Sequence, residues 1–260
     1  MAGSRTLPVE TKGMEQNSRI LLPLDFPTTE QAVSCAHLLR DDVAGFKVGL
    51  ELINSAGFDI FDQIRQTAGP AAKIFYDCKL HDIPNTVAGA SRAIARRGVW
   101  MFNIHASGGA AMMRAAVKAA SEGADLGGHS QRPLVIAVTL LTSISAEILS
   151  TELAVGRTVA GHVTALARMA QDAGCDGVVA SPHEIAAIRA ACGPDFTLVI
   201  PGVRPAGADI GDQKRVMTPG EAASAGADYL VIGRPITGAP DPLLATRTIN
   251  REVAAPPVAL

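Results

Sequence analysis

Eight short apolar runs, each followed by a longer amphipathic or alanine-rich stretch, repeat along the chain between Arg19 and Asn250. The runs are Ile20–Phe26, Gly45–Leu50, Lys73–Leu80, Trp100–Ala106, Leu134–Leu141, Gly177–Ala180, Thr197–Val203 and Tyr229–Ile232. They are rich in valine and isoleucine and mostly lack strict polar alternation, as expected of parallel strands covered on both faces. The intervening segments predict helices over 28–40, 54–67, 84–97, 109–121, 158–173, 182–191, 219–225 and 242–252. Thr28 stands at an N-cap position, several of these helices open on proline, and Gly98, Gly123, Gly174 and Gly226 stand as terminators. Strands alternating with helices imply right-handed parallel crossovers. Eight such units over about 230 residues fit a closed single-domain (β/α)8 TIM barrel, a fold that commonly takes about 250 residues. A doubly wound sheet is the rival, but its first strand should run into a glycine-rich turn. Here the first run leads instead into Asp25-Phe26-Pro27-Thr28, and no GxGxxG occurs. The expected organisation is a polar leading tail over 1–16, a barrel over 17–253 and a loose tail over 254–260.

Composition narrows the function. Hydrophobic residues make up 48% of the 260, enough for a full core, and a formal net charge of −2 leaves no basic field for nucleic acid or an anionic membrane. A small-molecule substrate is the expectation. Cys35, Cys78, Cys175 and Cys192 are scattered, with no CxxC pair and no zinc-ligand spacing, and read as buried thiols in a reducing compartment. The leading segment has no apolar core of a secretory signal, and no run reaches the ~18 residues that span a bilayer. Together these point to a cytoplasmic protein.

Barrel enzymes carry their chemistry at the C-terminal strand ends. Those ends hold Asp25, Lys47, Asp77, Lys79, Asp82, His105, Thr142, Ser181, Arg204 and Arg234. Asp25, Lys47, Asp77 and Lys79 lie in or at the end of apolar runs. Unpaired burial there would cost several kcal/mol, so they are expected to form one compensating network. Residues 77 and 79 are two apart on a strand and should face the same side. Flanking carboxylates favour the ammonium form of Lys79, which suits a proton donor beside a developing carbanion better than a Schiff-base amine. Spacing alone also allows a solvated Asp-Lys-Asp surface turn. Arg204, Gly233 and Arg234 follow the seventh and eighth runs, where barrels commonly bind phosphate, and the polar, glycine-rich stretch 205–216 suits a lid.

The segment Asp77-Cys78-Lys79-Leu80-His81-Asp82-Ile83-Pro84-Asn85-Thr86 resembles the signature of the orotidine 5′-monophosphate decarboxylase family. Further pieces resemble it in order: Pro23-Leu24-Asp25, Phe46-Lys47-Val48-Gly49, Val138-Thr139-Leu140-Leu141-Thr142-Ser143, Pro201-Gly202-Val203-Arg204, Gly211-Asp212-Gln213-Lys214-Arg215 and Ile232-Gly233-Arg234-Pro235. The likeness covers about residues 19 to 250, with Cys78 a local variation where the family often has leucine. It implies cofactor-free, metal-free decarboxylation of orotidine 5′-monophosphate (OMP) to UMP and CO2 in de novo pyrimidine biosynthesis. In that scheme Lys79 protonates C6, Asp77 lies against the substrate carboxylate, and Lys47 and Asp25 reach the ribose. Thr142, with Ser143 as the near alternative, meets the pyrimidine edge, and Thr86 is a further substrate-binding position. Arg204, Gln213, Gly233 and Arg234 hold the 5′-phosphate. Asp82 completes the neighbouring site of a homodimer. Sister enzymes of the barrel act on sugar phosphates through a magnesium-stabilised enediolate, but they carry a glutamate ligand where this chain has Lys47. A phosphate-binding barrel without catalysis is the remaining alternative, and would have no need to bury two lysines with two aspartates.

Overall fold

The computed structural model describes residues 18–205 and 217–255. Both expected tails lie wholly or largely outside that range, as do Gln213 and nearly all of the expected lid. Eight parallel strands form a closed barrel in chain order: β1 (Ile20–Pro23), β2 (Gly45–Val48), β3 (Ile74–Leu80), β4 (Met101–His105), β5 (Leu134–Val138), β6 (Gly177–Val179), β7 (Thr197–Pro201) and β8 (Tyr229–Val231). Closure is made by β8 pairing with β1 through Ile20 opposite Leu230 and Leu21 opposite Val231. The helices are α1 (Thr29–Leu39), α2 (Leu50–Ala56), α3 (Ile60–Ala68), α4 (Pro84–Ala95), α5 (Gly109–Gly127), α6 (Ala146–Thr151), α7 (Val159–Asp172), α8 (Ile185–Cys192), α9 (Pro219–Ser224), α10 (Arg234–Thr237) and α11 (Pro242–Ala254).

Strand alternation sorts the apolar residues into two cores. Leu21, Phe75, Met101, Ile136 and Val199 fill the barrel interior. Their neighbours Leu22, Ile74, Phe102, Ala137, Leu198 and Ile200 face outward into the larger core beneath the helices. This two-sided burial is why the runs show no polar alternation. At the N-terminal end, Asp176 and Asp228 repeat one device. Each precedes a strand, accepts the N–H of the strand before it (Val135 and Leu198 respectively), and pairs with an arginine, Arg132 or Arg189. That end of the barrel is committed to stability.

Local chemistry explains where helices begin and end, and where the predicted boundaries fail. Thr28 caps α1 by accepting the Gln31 N–H, as expected. Thr218 and Glu221 form a reciprocal capping box at α9. The single helix predicted over 54–67 is two helices: α2 starts earlier and ends at Gly57, whose φ of 70° leaves the helical region. Gly123, read as a terminator, lies inside α5, which runs on to a left-handed Gly128. A Cβ at Gly123 would stand 2.4 Å from the Arg92 carbonyl oxygen, so this glycine lets α4 and α5 pack closely. No described helix is long and apolar enough to cross a membrane.

Candidate active site

The C-terminal mouth of the barrel holds a chain of alternating charges. Lys47, on β2, points inward, with its ammonium 3.1 Å from Asp25 just beyond β1 and 3.4 Å from Asp77 on β3. Lys79 places its ammonium 2.5 Å from the other oxygen of Asp77. The array therefore runs Asp25, Lys47, Asp77, Lys79. The Lys47 side chain is 10% exposed and that of Asp77 14%, against 31% for Lys79 and 49% for Asp25. Its centre is dry, its ends are wet, and a buried charge at the centre is tolerable only because it is paired on both sides.

Electrostatics at Asp77 follow from those distances. Burial pushes its carboxyl up, but Lys47 and Lys79, together with hydrogen bonds from Lys79 and Asn103, outweigh that and hold it below the ordinary aspartate range. Asp77 is ionised at neutral pH. Gly49 makes the neighbouring pair possible, since a Cβ there would sit 2.9 Å from both the Asp25 Oδ1 and the Lys47 Nζ.

Lys79 reaches Asp77 by a route that simple strand alternation does not describe. The β3–β4 ladder shifts register between Tyr76 and Leu80, so that Tyr76 faces Phe102 while Leu80 faces Ile104. Within this bulge Lys79 has a φ of 48°, the left-handed region. A non-glycine residue there costs roughly 1–2 kcal/mol, which the surroundings must offset. Glycine would relax the backbone but would lose the ammonium. The expectation of two side chains on one face is thus met in outcome and corrected in cause.

Asn103 on β4 was not singled out from the sequence. It is 1% exposed. Its Oδ1 accepts the backbone N–H of Lys79 at 2.7 Å, and its Nδ2 donates to Asp77 Oδ1 at 2.6 Å. The signal was a single amide inside the apolar run 100–106, two residues before His105 and so on the same face. His105 itself is half-buried, its ring 5.3 Å from that of His81. Burial, His81 and Lys79 all push its pKa down, so it is neutral at pH 7. Cys78 faces outward into the helix-covered core, and burial pushes its thiol up to about 12.

Beside the array lies a cavity of about 230 Å³. Lys47, Asp77, Lys79 and Thr142 supply its polar wall, while Phe75, Val138, Leu140 and Pro201 are among its apolar lining. Thr142 lines it and Ser143 does not. Arg204, at the end of β7, donates to the Val203 carbonyl at 3.1 Å. Gly233 and Arg234 open α10 after β8, and Gly233 lies so close to Pro23 that a Cβ would stand 2.8 Å from its Cγ. Asp82 stands outside the array. It is exposed, its Oδ1 accepts the Ile83 N–H at 2.6 Å, and no ion pair to Lys79 lies within 4.0 Å among the described residues. Thr86, in the first turn of α4, is also exposed.

Fold and site define a class: a (β/α)8-barrel enzyme that keeps a paired, ionised lysine–carboxylate array at the catalytic end of its strands. Comparison with known proteins narrows this. The profile of the orotidine 5′-phosphate decarboxylase / HUMPS family matches residues 18–249. The chain is 50% identical over 240 residues to the orotidine 5′-phosphate decarboxylase of Moorella thermoacetica, covering 92% of this chain and 94% of that protein. It is 48% identical over 241 residues to the enzyme of the same name from Heliobacterium modesticaldum, covering 93% and 98%. The crystal structure of orotidine 5′-phosphate decarboxylase from Lactobacillus acidophilus superimposes with a TM-score of 0.78 at 36% identity, covering 92% of this chain and all of that one. The chain belongs to the orotidine 5′-phosphate decarboxylase / HUMPS family.

Proposed function

We propose that this protein decarboxylates OMP to UMP, with Lys79 as the proton donor and no resident cofactor. The observation that carries the reading is the array itself: two lysines alternating with two aspartates beside a largely apolar cavity. The bond from C6 to the carboxylate carbon breaks and its electron pair stays on C6, as CO2 departs. A vinylic carbanion at C6 has no adjacent π-system to take up the charge, so the barrier must fall through electrostatics and binding energy. The Lys79 ammonium then transfers its proton to C6 and is reprotonated by water. Asp77 holds the Lys79 ammonium in place until that moment, and lies against the leaving carboxylate. Lys47 holds Asp25 and Asp77 together and, with Asp25, meets the ribose hydroxyls. Thr142 meets the pyrimidine edge. Arg204, Gly233 and Arg234, with Gln213, take the phosphate, whose distant grip offsets the cost of desolvating the array.

Within the family, a metal-assisted reaction on a sugar phosphate is the alternative. The Lys47 ammonium stands between the Asp25 and Asp77 carboxylates, where a divalent cation would have to sit, and favours the metal-free reading. Release of CO2 from OMP, followed with the protein treated with EDTA, tests this. Full activity is expected, whereas a strict magnesium requirement would overturn it.

The same reading makes the working unit a cytoplasmic homodimer in which Asp82 serves the partner's site, with Thr86 a further substrate-binding position. Supporting it are the exposure of Asp82, its distance from the array of its own chain, and the adjoining Ile83, which is 66% exposed. Mixing inactive Lys79→Ala and Asp82→Ala chains should restore up to one working site per mixed dimer. No recovery on mixing would place Asp82 in its own chain's site.

A further inference from the structure

Asn103 touches every part of the distorted segment that carries Lys79. Its side-chain oxygen accepts the Lys79 N–H at the residue with the left-handed φ, and its side-chain nitrogen donates to Asp77. Its own carbonyl accepts from the Cys78 thiol at 3.2 Å. Three consecutive residues of β3 are thereby tied to one residue of β4 across a stretch where the regular ladder is interrupted. A regular strand would use backbone groups for this; here a buried amide takes their place. Glutamine would be one carbon too long, and aspartate would set a second carboxylate against Asp77.

We infer that Asn103 is a positioning residue of the active site, fixing the Lys79 backbone in its bulge and orienting the Asp77 carboxylate so that the ammonium meets the reacting carbon. It acts through these two residues and does not itself reach substrate. The inference rests on the decarboxylase reading for its kinetic consequence only; the hydrogen bonds stand without it. Displacing a proton donor by about 1 Å costs on the order of 10²-fold in rate. Asn103→Leu, which keeps the branched outline of the side chain and removes both bonds, should therefore lower kcat on OMP by about 10²-fold, leaving UMP affinity little changed.

Asn103→Asp gives a second readout, since it keeps the acceptor for Lys79 and can donate to Asp77 only when protonated. The charged and titratable groups facing Asp77 are Lys47 from β2, Lys79 from β3, His105 from β4 and Asp25 beyond β1. A new carboxylate among them makes the pair with Asp77 share a proton, and the acid limb of the kcat profile should move to higher pH. A space-filling role would leave the Asp77 titration of Asn103→Leu in place, since that variant removes the amide without adding a charge. The experiment combines OMP turnover against pH with a carbon-13 titration of the Asp77 carboxyl in the free protein, on wild type and both variants. Expected are the loss of kcat, the shifted acid limb and an upward-moved Asp77 titration in Asn103→Leu. Folded variants with unchanged kcat, limb and Asp77 titration would overturn the assignment. If Asn103→Leu does not fold, Asn103→Ala, which removes both bonds without adding bulk or charge, carries the test. A wild type inactive on OMP would sink the reaction, while the Asp77 titration would still decide the positioning.

Discussion

Replacing Lys47 by methionine keeps the length of the side chain and removes one charge from the centre of the array. Breaking a buried pair typically costs 3–5 kcal/mol, because the remaining charge is left uncompensated. Two features reduce that here. Asp25 is 49% exposed and can turn to water, and Asp77 keeps Lys79 at 2.5 Å. The expected loss at pH 7.5 is therefore about 2–3 kcal/mol, or about 5–10 °C in the melting temperature of a domain this size. The pH dependence is more telling than the size. In the wild type the Asp77 carboxyl lies below its ordinary value, so its contribution is present above the unfolded pKa of about 3.9 and is lost as pH falls through the folded one. Without Lys47, burial is less opposed and the carboxyl moves up. The folded variant then binds a proton above pH ~4 that the unfolded chain does not, recovering up to about 1.4 kcal/mol per pH unit. The gap between the two proteins should be widest near neutrality and shrink as pH falls toward 4.5. Calorimetric melts at half-unit steps from pH 4.5 to 8 measure it. A gap that stays constant across that range would refute the burial-and-pairing account of Asp77.

Three other perturbations have defined outcomes. Gly49→Ala places a methyl group 2.9 Å from both the Asp25 Oδ1 and the Lys47 Nζ, and should force that pair apart. Nucleotide affinity should fall, and stability by about 1–3 kcal/mol in urea unfolding. Arg234→Ala should raise KM for OMP by about 10–10²-fold, the worth of a charge-assisted bond to phosphate, with no comparable effect on the binding of the phosphate-free nucleoside. Cys78, with its thiol at about 12 and 8% exposed, should resist alkylation in the native protein at pH 8 and react only on unfolding, as followed by mass spectrometry.

Much of the barrel is legible in the sequence because the strands are buried on both faces, which leaves eight continuous apolar runs, and because the first run lacks the glycine-rich turn of a doubly wound sheet. The candidate site is legible where a charge interrupts such a run, as at Lys47 and Asp77. What escapes reading is whatever depends on close approach between segments far apart in sequence. Asn103 looks like one polar residue in a strand until the bulge in β3 shows what its amide holds. Gly49 looks like a turn glycine until the ion pair beneath it is seen. Gly123 carries the mark of a helix end, yet serves helix packing. The break at Gly57 is hidden because the apolar spacing continues across it from α2 into α3. Asp82 illustrates a different limit: it is exposed and makes no ion pair with the array among the described residues, so one chain does not show what it meets.

The proton-donor role proposed for Lys79 is the centre of the proposed mechanism, and Lys79→Ala tests it most directly. OMP turnover and UMP binding should be measured on the same preparation, the first by CO2 release and the second by titration calorimetry. Loss of a positioned general acid removes about 10²–10⁴-fold in rate, and loss of the cation beside the carbanion adds to it. Turnover should therefore fall at least that far, while UMP, gripped mainly through ribose and phosphate, still binds with an affinity close to that of the wild type. A Lys79→Ala protein that decarboxylates OMP at the wild-type rate would contradict the mechanism outright.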